Sequence, residues 1–178
     1  PCLHNEHYAY LDVFHHLVRS VRGFMFNAPG EMELAKALFG EDLIAKKGGV
    51  VGMGFEFSEE APENKERSQL SYLLYSGRKE TGKNLDLLID CFSYFKKQNP
   101  ESELELKIIG SGSIDFLKEL PAGVTDCGFV TEEEKISLMR GALALCQPSV
   151  NESFSIVLME AWREGTAVIV HSGCAVTR

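Results

Sequence analysis

The segment LSYLLYSG, residues 70–77, is the first of five short apolar runs that decide the fold. Each run is bounded by Gly, Pro or Ser, as strands buried on both faces of a sheet commonly are. The other four runs are LELKIIGSG (104–112), VTDCGFV (124–130), LALCQPS (143–149) and TAVIVHSG (166–173). The sequence therefore predicts five strands in its larger, carboxyl-terminal part.

Helical patterns lie between these strands. They are KNLDLLIDCFSYFKK (83–97), SIDFLKEL (113–120), TEEEKISLMRGA (131–142) and SFSIVLMEAWREG (153–165). The third pattern opens with a capping box formed by Thr131 and Glu134. Strict alternation of strands and helices predicts an α/β fold, a Rossmann-like parallel sheet flanked by helices. In such a sheet, ligands bind at the carboxyl ends of the strands.

The amino-terminal residues follow a different pattern, too short for a second complete sheet. The predicted elements are a helix over 11–21, a strand within 23–27 and a helix over 29–40. We interpret residues 1–47 as the remnant of one domain, 48–69 as a linker and 70–178 as the Rossmann-like domain. The chain opens at Pro1 and stops directly after its last strand, so we expect a truncated piece of a longer protein.

Composition restricts the classes of function. The formal net charge is -8, from 26 acidic and 18 basic residues, which argues against nucleic acid as a partner. The five cysteines are scattered and never spaced as CxxC, which indicates reduced thiols and a cytoplasmic protein. No apolar run approaches the roughly 20 residues that a membrane-spanning helix needs.

Two cations follow the first strand of the predicted sheet. Arg78 and Lys83 lie five positions apart in a polar turn, where a planar guanidinium and a mobile ammonium could bind a diphosphate. The alternative is a solvated turn before a helix. After the second strand, the glycines of GSGS, beginning at Gly110, could let backbone N–H groups approach a ligand, or could form only a turn. After the third strand, the backbone near Val130 could bind a base edge.

Two acids, Glu152 and Glu160, flank the last helix start. A helix that begins near Ser155 would direct free N–H groups toward phosphate oxygens at the same sheet edge. The eight-residue spacing puts the acids about 12 Å apart along an ideal axis, suited to hydroxyls at two ends of an extended ligand. The alternative is that Glu160, Arg163 and Glu164 form a solvated stripe.

Taken in order, the motifs GRKETGK, IIGSG, CGFV and ESFSIVLMEA resemble the donor-binding half of retaining glycosyltransferases with the GT-B fold. The spacing E-x7-E, from Glu152 to Glu160, is the best-known signature of that group. The resemblance implies that Arg78 and Lys83 bind the donor diphosphate. It also implies that Glu152 binds hydroxyls of the donor sugar and that Glu160 binds the nucleotide ribose.

The resemblance implies further contacts from the backbone. The segment that includes Ser153, Phe154, Ser155, Ile156 and Val157 would surround the sugar and the distal phosphate, and residues around Val130 would contact the base. Many relatives have glycines in place of the two serines of this segment, so close backbone approach is less assured here.

The first ten residues, PCLHNEHYAY, resemble the end of the family's acceptor domain. The resemblance places His4 beside the reacting sugar; the alternative is an ordinary surface or hydrogen-bonded histidine. A metal cluster of Cys2 with His7, His15 and His16 is not favoured, because no second well-spaced ligand pair supports it.

These observations lead to one hypothesis on function: transfer of a hexose from a nucleoside diphosphate sugar to a hydroxyl of a glycan or lipid-linked acceptor, with retention. Retaining hydrolases hold their two carboxylates about 5 Å apart, so Glu152 and Glu160 are expected to bind rather than attack. The resemblance assigns catalysis to His4 and Glu152, requires no metal cofactor, and allows peripheral membrane association of the full-length protein. The alternatives are a nucleotide-sugar binding module without independent catalysis and a GT-B epimerase or phosphorylase.

Overall fold

A computed structural model describes residues 12–52, 54, 72–115, 119–152, 154–174 and 177. The chain divides into two compact units. The smaller unit comprises residues 1–55, 151–155 and 172–178, and the larger unit comprises 56–150 and 156–171.

The smaller unit contains three helices and a pair of short strands among its described residues. In chain order they are α1 (Asp12–Ser20), β1 (Phe24–Phe26), α2 (Pro29–Phe39), α3 (Glu41–Lys47) and β2 (Gly48–Val50). The two strands pair in parallel, with Phe24 opposite Gly48. Phe26 and Ile44 are at the centre of its apolar core. The predicted helices over 11–21 and 29–40 and the strand within 23–27 are confirmed, while α3 and the strand at the start of the predicted linker were not foreseen.

The larger unit alternates strands and helices. Its elements are β3 (Tyr72–Ser76), a 3-10 turn (Thr81–Lys83), α4 (Leu85–Gln98), β4 (Glu105–Ile109), β5 (Val124–Gly128), α5 (Glu132–Gly141), β6 (Ala144–Gln147), α6 (Ile156–Arg163) and β7 (Ala167–Val170). The five strands form one sheet in the order β5-β4-β3-β6-β7. Every pairing is parallel. The predicted Rossmann-like sheet is confirmed.

Strand alternation fills a core on each face of this sheet. On one face, Tyr72 and Leu74 of β3 pack with residues of α5 and α6. On the other face, Tyr75 of β3 and Leu106 of β4 pack with residues of α4. Because successive residues of a strand point to opposite faces, a continuous apolar run serves both cores. This is why the strands read as unbroken apolar segments.

One predicted helix is wrong. Residues 113–115 and 119–120 are turn and irregular backbone instead of helix, and 116–118 lie outside the described residues. The hydroxyl of Ser113 donates to the carboxylate of Asp115. Such local side-chain bonds compete with a helical start, and Pro121 closes the segment. The connection from β4 to β5 therefore shows no helix in its described residues.

The four cysteines that the structure describes, Cys91, Cys127, Cys146 and Cys174, are free. Burial raises the pKa of the Cys146 thiol to about 12. A thiol that stays protonated at neutral pH is a poor nucleophile, so Cys146 serves as a small core residue.

Gly110, at the end of β4, provides a test of how tightly the strand ends pack. It has a φ of 127°, and a Cβ added there would collide with the carbonyl oxygen of Gly77. We expect Gly110→Ala to lower the free energy of unfolding by about 3 kcal/mol, from backbone strain and the clash combined. Urea unfolding followed by circular dichroism measures this change. Gly49→Ala is the control, because its Cβ would meet no atom of the described chain within 4 Å. Equal stability of the two variants would contradict the packing described here.

Candidate functional site

The carboxyl edge of the sheet holds several of the residues predicted for the site. After β3, the strands β4 and β5 are added on one side of the sheet, and β6 and β7 are then added on the other side. The switch point lies between β3 and β6, which are paired neighbours. Ligands of open α/β sheets bind outside such a switch point. The loop after β3 carries Arg78 and Lys83, so the two predicted cations lie at this point.

The backbone of Arg78 is held by a hydrogen bond, whereas its side chain projects into solvent. The Tyr75 hydroxyl donates to the Arg78 carbonyl at 2.7 Å. The guanidinium is 68% exposed and contacts Glu80 at 3.1 Å. An exposed pair of this kind contributes little to stability, so the guanidinium can exchange Glu80 for a ligand at low cost.

Lys83 lies at the end of the 3-10 turn and is half-buried. The next residue, Asn84, adopts a left-handed conformation with a φ of 52°. Its side-chain amide donates to the Pro148 carbonyl at 3.3 Å, in the loop after β6. This bond ties together the loops on either side of the switch point.

Lys79 was missed by the sequence analysis. Its side chain is only 2% exposed, and its ammonium contacts Asp126 of β5 at 2.6 Å. A lysine between Arg78 and Glu80 in a polar turn carries no local sign of burial. Its position in the sheet edge depends on a partner 47 residues away.

The structure assigns Gly110 a role that differs from the expected one. The Gly110 amide donates to the carbonyl of Gly128 at 2.8 Å, so that N–H is already used within the sheet. The absence of a side chain accommodates Gly77. Participation of Gly110 in ligand binding stays a prediction.

In the loop after β5, Val130 packs against the core and Phe129 is exposed to solvent. Val130 is half-buried and packs on the core that α5 and α6 cover. Phe129 is 83% exposed. The contact of the Val130 backbone with a base stays a prediction.

Glu152 lies, as predicted, in the loop between β6 and α6, and it is half-buried. Phe154 is also half-buried, whereas Ile156, the first helical residue, is exposed. Val157 is half-buried and packs on the same core as Val130. The predicted site residues His4 and Ser153 lie outside the described residues.

Ser155 occupies a backbone conformation that favours glycine. It adopts a left-handed backbone with a φ of 62°. This conformation costs non-glycine residues about 1–2 kcal/mol. Ser155 is buried, and its hydroxyl has no hydrogen-bond partner among the described residues.

Glu160 is joined to a lysine on the neighbouring helix. The Lys135 ammonium donates to Glu160 Oε1 at 2.8 Å and contacts Glu132 at 2.9 Å. Burial by itself lowers the pKa of Lys135, but hydrogen bonds to Glu160 and Glu132 outweigh burial and leave the pKa above its usual value. Lys135 was missed by the sequence analysis; its spacing from Glu132 was the local signal.

The proposed solvated stripe of Glu160, Arg163 and Glu164 is wrong. The Glu164 carboxylate is 4% exposed and accepts bonds from Arg140 at 2.6 Å and Arg163 at 2.7 Å. The Lys135–Glu160 and Arg140–Glu164 pairs link α5 to α6 and to the residue that follows it. Glu160 and Glu164 are therefore fixed in direction rather than mobile in solvent.

The described residues contain no group of three or more His, Cys, Asp or Glu side chains that could hold a metal ion. Of the histidines in the disfavoured cluster, His15 packs edge-on against the ring of Phe39, with centroids 5.2 Å apart. In the described part of the chain, every helix is too short or too polar to cross a lipid bilayer.

A parallel sheet with helices on both faces and loops exposed at its switch point belongs to the class of doubly wound α/β proteins. Residues 56–178 match the family model described as "Glycosyl transferases group 1". The chain belongs to this family, as its motifs suggested.

Curated relatives share part of the sequence. The chain is 36% identical over 103 residues to a phosphatidyl-myo-inositol mannosyltransferase of Mycobacterium tuberculosis, a match covering 54% of this chain and 27% of that protein. It is 33% identical over 107 residues to a D-inositol 3-phosphate glycosyltransferase of Pseudarthrobacter chlorophenolicus, covering 55% and 26%. The chain therefore spans about a quarter of the length of these relatives.

Solved structures share the fold. A sucrose-phosphate synthase of Thermosynechococcus elongatus aligns with a TM-score of 0.74 at 19% identity, covering 97% of this chain and 46% of that one. A pneumococcal O-GlcNAc transferase in complex with UDP and GlcNAc aligns with a TM-score of 0.69 at 19% identity, covering 94% and 33%.

The strained backbone at Ser155 generates a prediction. We expect Ser155→Gly to raise the free energy of unfolding by about 0.5–1 kcal/mol, because relief of strain exceeds the added entropy of the unfolded chain. Ser155→Ala is the matched control: it removes the unpartnered hydroxyl and keeps the strained φ, so it should be less stable than the glycine variant. Chemical denaturation ranks the three proteins. A glycine variant less stable than the wild type would contradict the assigned strain.

Glu164 generates a prediction on pH. Burial by itself raises the pKa of Glu164, but hydrogen bonds from Arg163 and Arg140 outweigh burial and hold the pKa below its ordinary 4.5. The stability that Glu164 contributes is therefore present above pH 4.5 and is lost as pH falls through the lower folded-state value. Glu164→Gln should cost about 2 kcal/mol at pH 7.

This cost should shrink when unfolding is measured at acid pH. Glu133→Gln, on the exposed first turn of α5, is the control and should change stability little at either pH. A cost at Glu164 that does not depend on pH would show that packing, rather than charge, stabilises the contact.

Proposed function

We propose that this chain carries the donor-binding half of an enzyme that transfers a hexose from a nucleoside diphosphate sugar to an acceptor hydroxyl, with retention of anomeric configuration. The observation that carries the proposal is the placement of Arg78 and Lys83 at the switch point. Membership of the glycosyl transferase family supports it. Structures of the same fold solved with UDP and a sugar favour a nucleoside diphosphate donor.

The charges of this edge suit a diphosphate leaving group. In a parallel α/β unit, the helix after a strand begins at the carboxyl edge, so α6 begins on the edge where the loop of Arg78 lies. The amino end of a helix carries a positive partial charge and free N–H groups. Arg78, Lys83 and this helix end would stabilise the negative charge that grows on the departing diphosphate.

Glu160 suits the nucleotide ribose. Lys135 contacts one oxygen of its carboxylate, Oε1, and fixes the direction of the group. A carboxylate has two oxygens that can accept several bonds. In our proposal, the ribose hydroxyls donate to the carboxylate, and Lys135 keeps the carboxylate oriented.

The remaining assignments complete the proposal. Glu152 would bind hydroxyls of the donor sugar, and the backbone from Ser153 to Val157 would surround the sugar and distal phosphate. His4 would lie beside the reacting sugar, and the base would contact the backbone around Val130. In the proposed reaction the leaving phosphate helps to deprotonate the acceptor hydroxyl, a glycan or a lipid-linked molecule, and no metal is required.

A second candidate is a nucleotide-sugar binding module without independent catalysis. The fact that favours it is length, because the chain spans about a quarter of the curated relatives. Transfer requires a closed site from which water is excluded. Donor binding without turnover by this chain would support the second candidate.

Donor titration tests the proposal. Calorimetry with UDP-, GDP- and ADP-glucose should detect binding of at least one donor to the wild-type chain. We expect Glu160→Ala to weaken that binding about tenfold or more, because a hydrogen bond to a charged group contributes about 1.5–3 kcal/mol.

Glu132→Ala is the matched control for this titration. It removes the other, more exposed carboxylate that contacts Lys135, so it should leave donor affinity nearly unchanged. Equal losses in the two variants would indicate that the charge balance of Lys135, rather than a ribose contact, determines affinity. Binding of none of the three donors would contradict the proposed donor class.

A further inference from the structure

We propose that Lys79 is a positioning residue of the donor site: its buried side chain fixes the direction in which Arg78 faces. This inference rests on the proposed function, in which Arg78 binds the donor diphosphate. Lys79 itself faces the interior of the sheet edge and would not touch the donor.

The backbone of Lys79 extends the sheet past the end of β3. Its amide donates to the Ser111 carbonyl at 2.8 Å, and Lys79 forms a parallel bridge with Gly112. Side chains of an extended segment alternate between opposite sides. With Lys79 turned inward, Arg78 and Glu80 on either side must turn outward, and both are exposed.

The side chain of Lys79 joins this segment to a third strand. Its ammonium contacts Asp126 Oδ1 at 2.6 Å, and the same oxygen accepts the Gly128 amide at 2.9 Å. Lys79 therefore links the loop after β3, the loop after β4 and the end of β5. These are the loops that carry Arg78, Gly110 and Val130.

The charge of Lys79 restricts this link to one arrangement. An apolar side chain would fill the space equally well in several orientations, whereas a buried ammonium is stable only beside its carboxylate. If the segment slipped by one residue, Lys79 would lose Asp126 and either Arg78 or Glu80 would be turned inward. The pair thus excludes the register in which Arg78 no longer faces outward.

Glycine permits the close approach that this link needs. Gly112 has a φ of 96°, and a Cβ there would lie 3.1 Å from the Lys79 carbonyl oxygen. The second glycine of the GSGS motif therefore serves the bridge to Lys79.

A double-mutant cycle tests the inference. The dissociation constants of UDP, GDP and ADP are measured by calorimetry for the wild-type chain, Lys79→Met, Arg78→Ala and the double variant. We expect Lys79→Met to raise the dissociation constant of the diphosphate at least tenfold. We expect the double variant to bind no more weakly than Arg78→Ala alone, because a residue that acts through Arg78 has no effect once Arg78 is gone.

Lys96→Met is the matched control. Lys96 is also partly buried and donates to loop carbonyls, those of Ser102 and Leu104, ahead of the amino end of β4. Its loss should lower stability and leave the dissociation constant within twofold. If Lys79→Met does not fold, Asp126→Asn replaces it in the cycle, since it removes the charge and keeps the side-chain volume.

Two results would overturn the inference while the proposed function stands. One is an unchanged dissociation constant in Lys79→Met. The other is losses that multiply in the double variant, which would show that Lys79 acts independently of Arg78. If the wild-type chain binds none of the three diphosphates, the proposed function fails, and the inference fails with it.

Discussion

Parallel pairing of β3 with both β4 and β6 is the constraint on which the larger unit depends. It buries the central strand on both faces, which requires the unbroken apolar runs, and it places the loops after the strands at one edge. The reversal of strand order between β3 and β6 then creates the position at which a ligand can enter. This pairing brings the loop that carries Arg78 and Lys83 beside the loop after β6, which is far away in sequence.

Buried ion pairs fix two parts of the larger unit in place. Lys79 with Asp126, and Glu164 with two arginines, each take an ionised group out of water beside a partner. Such pairs are a poor source of net stability, because desolvation offsets much of the attraction. Their advantage is direction, since each charge is satisfied in one arrangement only. The Lys79–Asp126 pair fixes the backbone beside Arg78, whose exposed guanidinium stays available to a ligand.

The sequence predicted the elements that have a local period or a local signature. The five strands were found from apolar runs and their Gly, Pro and Ser boundaries, and α5 from its capping box at Thr131 and Glu134. The family was recognised from several motifs in order, and the family match agrees. The helix predicted over 113–120 failed in its described residues, because a hydroxyl-to-carboxylate bond at its start and a proline after it outweigh apolar spacing. The roles of the individual site residues stay predictions.

By itself, the sequence determined the fold class, the order of the elements and the loops in which the site residues stand, because these follow from patterns within a few residues. Only the tertiary structure decided that Lys79 is buried while Arg78 is exposed, and that Lys135 contacts Glu160. It also decided that Ser155 takes a left-handed backbone. These features depend on partners dozens of residues away, or on the geometry of a loop between two packed elements. Local propensity carries no information about either.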